Sequence, residues 1–136
     1  MKQRSSNILI NGIGVDIEHP RRFKRIMLKK CIKVRDRIFT PKEVEYCSRF
    51  VKFEERFAGR FAAKEAILKA LSSLPQTHDV LTPKDIEILP RYYKKPHIRI
   101  NTRLIGIRKA NLKIHLSISH IARYAVAFCV ITHHIA

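Results

Sequence analysis

Acidic residues are scarce in this chain. Eleven Asp and Glu stand against twenty-eight Lys and Arg, a formal net charge of +17 over 136 residues. Such a field attracts polyanions: nucleic acid, an anionic membrane, phosphorylated cofactors or an acidic protein partner. Charge alone does not choose among the four. Cysteine is sparse as well. Cys31, Cys47 and Cys129 form no CxxC and are odd in number, so neither a disulfide framework nor a zinc site follows, and a reducing compartment with idle thiols is expected. Long apolar runs are missing: residues 1–7 are polar and basic, and the apolar run after them is cut by Asn11, Gly12 and Gly14. That is too short and too interrupted for a signal peptide or a membrane span, and a cytoplasmic protein is expected. Internal repeats, low-complexity tracts and linkers are absent too. With 46% hydrophobic and 29% charged residues, the composition is that of one soluble domain with its own core. It spans 1–136, with residues 1–7 expected as a flexible N-terminal extension.

The strongest helical pattern covers residues 57–71, where Ala, Leu, Lys and Glu dominate. On a helical wheel Phe57, Phe61, Leu68 and Leu71 form one apolar stripe. Glu65 lies only roughly 40° from Phe61, beside Ala58 and Ala62, inside the sector a helix normally buries. A carboxylate there needs a partner. It either pairs with a basic side chain at the edge of the core or ligates a cation, and the second alternative requires another carboxylate from elsewhere. Lys64 and Arg60 flank the stripe on its other side.

Residues 8–17 alternate like a strand, with Leu9, Ile13, Val15 and Ile17 on one face and Gly12, Gly14 and Asp16 on the other. Glycines in a strand mark close approach of a ligand or another backbone, or else a polar strand end facing solvent. Pro20 opens a second helix where its missing N–H costs nothing. Between Arg21 and Arg37 nine Lys or Arg face one acid, Asp36, and Phe23, Ile26 and Met27 supply an inward side. A run this one-sided repels itself unless something acidic visits, which suggests a docking surface. Phe39-Thr40-Pro41-Lys42-Glu43 is a capping-box helix start with a structural role. The helix it opens is expected to reach about Phe50, and the long helix to run from about Glu54 to Leu74. The last third alternates at residues 85–89, 98–100 and 114–119, and residues 124–132 are nearly continuously apolar, as in an interior strand. A short helix over 103–110 and a turn at His120 complete an α+β domain in which an antiparallel sheet packs against the long helix and shorter ones.

Four separated stretches coincide with one family. Gly12-Ile-Gly-Val-Asp16-Ile, Arg37-Ile-Phe-Thr-Pro-Lys-Glu43, Phe57-Ala-Gly-Arg-Phe-Ala-Ala-Lys-Glu65-Ala and Ser117-Ile-Ser-His120, followed by Tyr124-Ala125, stand in order. Together they resemble the holo-acyl-carrier-protein synthases, small 4′-phosphopantetheinyl transferases, over roughly residues 10–132. The resemblance implies transfer of the phosphopantetheine arm of coenzyme A to a serine of an apo acyl carrier protein, for fatty acid biosynthesis, with release of adenosine 3′,5′-bisphosphate. It implies Mg²⁺ held by Asp16 and Glu65, and a homotrimer with active sites between subunits. It places Lys64 at the bridging or leaving oxygen and makes Glu65 the candidate base for the serine proton. Arg60, Lys69 and His120 fall near the phosphates of the coenzyme, with Ser119 and Pro96 also against it. The carrier would dock on Arg21, Arg22, Arg25 and Lys29. Chemically the pair suffices, since Mg²⁺ favours one or two carboxylates plus phosphate oxygens.

The chain departs from the family at Ser72-Ser73-Leu74-Pro75, where a Gly-rich loop is usual, at Lys94-Lys95-Pro96 in place of Gly-Lys-Pro, and at Glu18-His19-Pro20. Two rival readings are a small nucleic-acid-binding protein and a silent scaffold for carrier protein. Against the first, the eleven aromatics form no base-stacking stripe, and no helix-turn-helix or RNP-like motif is present. Neither nucleic acid nor membrane is therefore expected as a partner.

Overall fold

The computed structural model describes residues 7–28, 31–74, 81–91, 94–101 and 111–134. The expected N-terminal extension, apart from Asn7, and the expected helix over 103–110 lie outside these residues. Strand β1 (Ile8–Glu18) leads into α1 (Pro20–Leu28), α2 (Ile32–Ile38), α3 (Pro41–Cys47) and the long α4 (Phe53–Leu71). A 3₁₀ turn at Pro83–Asp85 precedes β2 (Ile86–Arg91), β3 (Lys94–Ile100), β4 (Leu112–His120) and β5 (Ala125–His134). The antiparallel pairing comes in two sheets, β1-β5-β4 and β2-β3, with the apolar β5 in the middle of the larger one. The basic stretch after β1 is two helices, α1 and α2, rather than one. Among the described residues no helix is long and apolar enough to cross a membrane.

α4 is enclosed on several sides, which corrects the single stripe expected of it. Ala58, Ala62, Ala63, Ala66 and Ala70 are fully buried, whereas Phe61 and Leu68 are only half-buried. The small residues let the helix lie almost backbone-to-backbone on β1. A Cβ built on Gly12 would stand 2.0 Å from the Ala70 carbonyl oxygen, and one on Gly14 1.8 Å from that of Ala66. Neither glycine has a positive φ, so space, not backbone conformation, demands glycine here. A bulge between Ile10 and Gly12 is tied by Asn11 Oδ1 to His133 Nδ1 at 2.6 Å.

The glycine face of β1 therefore points at the helix, and its aliphatic face points away. Ile13, Val15 and Ile17 are 55–59% exposed, and Phe128 beside Val15 on β5 is 46% exposed. Below α1, Phe23, Phe39 and Phe57 form a second buried cluster, with the Phe39 and Phe57 rings 4.9 Å apart and edge-on.

Candidate functional site

The packing of α4 on β1 sets the site. Because Ala66 and Ala70 back the two glycines, Glu65 and Lys69, each one residue earlier and one turn apart, stand together at the edge of that contact. Asp16 follows the glycines on the same face of β1. Lys69 Nζ donates to Asp16 Oδ1 and to the Val15 carbonyl, both at 2.9 Å. The other carboxylate oxygen of Asp16, Oδ2, is buried without a hydrogen bond. Burial pushes the Glu65 carboxyl above its ordinary value, and the Asp16 charge pushes it further. Lys69 is raised in turn, chiefly by its hydrogen bond to Asp16.

A third carboxylate, Glu18, belongs to the same group. Burial raises it too, against the pull of Arg22, and Asp16 and Glu65 add to the rise; Arg22 Nη1 lies 3.3 Å from its Oε2. Sequence reasoning passed over Glu18, although its place two residues beyond Asp16 on one strand face was the available signal. Three of only eleven acids thus lie within electrostatic reach of one another in a strongly basic molecule. Crowded carboxylates with a buried, unpartnered oxygen fit a divalent cation. Among the described residues no group of three or more His, Cys, Asp or Glu is placed to hold a metal ion, so Glu18 does not complete a ligand set. Asp16 and Glu65 would hold such an ion with oxygens left to be supplied by a ligand.

Lys64 does not join this cluster, which corrects its expected place at the reacting oxygen. It is fully buried, and its ammonium donates to Ile38 O at 2.6 Å, Glu43 Oε2 at 2.6 Å and Pro83 O at 3.0 Å, so all three of its N–H bonds are engaged. Burial lowers its pKa, opposed by Glu43. Arg60, one turn earlier on the same side, is also buried; its Nε donates to Ile88 O at 3.0 Å and its guanidinium lies over Tyr46. The capping box at Thr40 and Glu43 forms as the sequence predicts, but Glu43 does more than cap, since it also accepts from Ile88 N at 2.8 Å.

The remaining positions are spread out within one chain. His120 ends β4 on the helix-facing side and pairs through Nδ1 with Glu55 at 3.2 Å. The pairing row Glu18–Ala125–His120 puts it two strands, about 10 Å, from β1. Ser119 points to the opposite sheet face, beside Val126. Pro96 lies in a cleft of about 730 Å³ with Arg91, Lys95, His97 and Lys113, at the far end of β4 from the residues level with Asp16. On α1, Arg21 and Arg25 are exposed, and Arg22 is exposed but engaged by Glu18 and lies over Phe61. Lys29 is outside the described residues.

The sequence pattern of the 4′-phosphopantetheinyl transferase superfamily matches residues 12–129. A holo-[acyl-carrier-protein] synthase from Geobacter sp. (strain M21) is 39% identical over 125 residues, covering 90% of this chain and 98% of that protein. One from Wolbachia pipientis subsp. Culex pipiens is 40% identical over 126 residues, again 90% and 98%. The crystal structure of a holo-(acyl-carrier-protein) synthase from Bacillus anthracis in complex with CoA (3′,5′-ADP) superposes with a TM-score of 0.70 at 34% identity, covering 90% and 96% of the two chains. That of the Helicobacter pylori synthase in complex with coenzyme A gives 0.70 at 29% identity, covering 88% and 98%. With its pattern matched over most of its length and relatives about 40% identical across nearly all of theirs, the chain belongs to the 4′-phosphopantetheinyl transferase superfamily and is an enzyme of the holo-[acyl-carrier-protein] synthase kind.

Proposed function

We propose that this protein moves the 4′-phosphopantetheine group of coenzyme A onto a serine hydroxyl of an apo acyl carrier protein, in the cytoplasm and in the service of fatty acid synthesis. The serine oxygen forms a bond to the β-phosphorus, the bond from that phosphorus to the bridging oxygen breaks, and adenosine 3′,5′-bisphosphate leaves with that oxygen. The observation that carries this reading is the convergence of Glu65 on Asp16, with Asp16 Oδ2 buried and unpaired. Asp16 and Glu65 would hold Mg²⁺, which would supply polarisation of the phosphoryl group and neutralise charge on the leaving group. Phosphoryl transfer otherwise demands positioning and fixed positive charge, and Lys69, hydrogen-bonded at the rim of the cluster and half-exposed, would hold a phosphate. Glu65 is the group proposed to take the serine proton. His120 and the basic cleft at Pro96 would bind the other phosphates.

Two further observations support the rest. The exposed basic face of α1, with Arg21 and Arg25, suits an acidic carrier. The aliphatic face of the larger sheet, built from Ile13, Val15, Ile17 and Phe128, is exposed as a contiguous patch of the kind that marks an interface. A homotrimer closing on that face would bring residues from one edge strand, β4, toward β1 of a neighbour, and so assemble a site whose parts lie apart in one chain.

The test is intact-mass spectrometry of an apo acyl carrier protein incubated with this protein and coenzyme A. The expected result is a carrier heavier by one phosphopantetheine, only when a divalent ion is present. No mass shift, or a shift undiminished by EDTA, overturns the proposal.

A further inference from the structure

The Lys64–Glu43 pair lies outside the carboxylate cluster, yet Lys64 is the residue next to Glu65. Its three acceptors belong to three different elements: Ile38 O ends α2, Glu43 stands in the first turn of α3, and Pro83 O opens the 3₁₀ turn. Glu43 passes the connection on, taking the Ile88 N–H of β2 on its second oxygen, while Arg60 takes the Ile88 carbonyl. One edge of α4 is therefore fastened to four other elements through two buried side chains. The neighbouring edge carries Glu65 and Lys69 toward Asp16.

Roll of α4 about its axis is the motion these contacts oppose. A carboxylate about 6 Å from a helix axis moves about 1 Å for a roll of about 10°, and displacement of that size is costly at a site that depends on placement. Like charge on Asp16, Glu18 and Glu65 opposes their close approach, while Lys69, bonded to Asp16 Oδ1 and the Val15 carbonyl, holds the other edge of α4. Gly12 and Gly14 offer α4 a smooth bed with no side chain to key it. We propose that Lys64 and Glu43 are positioning residues, which fix the azimuth of α4 so that Glu65 reaches the ion held with Asp16. Because Lys64 grips the last carbonyl of α2, the same pair ties the end of the basic stretch to the cluster. This inference rests on the metal reading above.

The test separates a positioning role from a merely structural one. Removing one partner leaves an uncompensated buried group, whereas replacing both is often tolerated, so the variant is Lys64→Met combined with Glu43→Gln. Thermal melting reports its fold, and Mn²⁺ binding followed by electron paramagnetic resonance, without substrates, reports the site. The expected result is a folded double variant whose Mn²⁺ affinity is lower by about 10-fold or more, the loss typical when groups supporting a metal ligand are removed. A folded double variant that binds Mn²⁺ as tightly as the natural protein overturns the inference. Should it not fold, Glu43→Asp alone, which keeps both carboxylate oxygens and the counter-charge for Lys64 but draws them back by one methylene, serves instead: weakened Mn²⁺ binding supports the positioning role and unchanged binding overturns it. If Glu65→Gln binds Mn²⁺ as well as the natural protein, the metal reading itself is wrong, and this inference falls with it.

Discussion

Lys69 and Asp16 divide the Asp16 carboxylate in two: Nζ stands 2.9 Å from Oδ1, and Oδ2 is buried with no hydrogen bond. One oxygen is neutralised, and under the metal reading proposed above the other would face the cation. Lys69→Met removes both the counter-charge and the proposed phosphate contact, and kcat is expected to fall by about 10²–10³-fold, the scale for losing one positioned donor to developing charge. Rates from the carrier mass shift, at saturating coenzyme, check this.

Glu65 and Glu18 are both raised above the ordinary carboxyl value, burial being the larger cause for each. A raised acid binds its proton more tightly folded than unfolded, so metal-free stability is lost as pH rises through the raised value. Glu65→Gln, measured in EDTA, is therefore expected to melt close to the natural protein at low pH and above it at neutral pH. Adding Mg²⁺ and coenzyme A should stabilise the natural protein and not the variant. Equal melting at both pH values would contradict the crowding of charge at the cluster.

Periodicity, which is local, singles out Asp16 beside two strand glycines and Glu65 in a sector a helix buries, with a solvent-facing strand end and a basic partner as the alternatives; joining the two as a pair comes from the family resemblance. The destination of Lys64 was not legible, because its three acceptors come from segments distant in sequence. A wheel shows that a residue is buried and never against what. From Gly12 onward the two faces of β1 follow the alternation, but the bulge at Asn11 turns Leu9 to the glycine side, against the expected placing with Ile13; which face meets the helix depends on Ala66 and Ala70 allowing backbone contact at Gly12 and Gly14. The aliphatic face, the more core-like by composition, is consequently the outward one.

That close contact gives a stability prediction. Gly14→Ala puts a methyl group 1.8 Å from the Ala66 carbonyl oxygen, so α4 must shift. Overpacking of this kind costs about 1–3 kcal/mol, and urea denaturation should show at least that loss.

The thiols provide an independent check on burial. Cys47 is pushed up to about 12 and Cys129 to about 11, both by burial, whereas Cys31 is exposed. Iodoacetamide on the native protein is expected to add one carbamidomethyl group, at Cys31, and peptide mapping that finds Cys47 or Cys129 labelled would contradict the packing of α3 and β5.

Docking on α1 is an electrostatic claim and has an electrostatic signature. Because Arg22 is partly engaged by Glu18, the cleaner variant is Arg21→Glu with Arg25→Glu. KM for the carrier should rise about tenfold at low salt, and the gap should narrow as salt is added. A salt-independent gap would point to a cause other than charge.

The most direct measurement is a titration of Mn²⁺ into the natural protein, Asp16→Asn and Glu65→Gln, read by electron paramagnetic resonance in the presence of coenzyme A. One bound ion per active site is expected in the natural protein, with affinity reduced by about 10-fold or more in each variant. Undiminished binding in both variants would show that the ion sits elsewhere and that these two carboxylates do not share it.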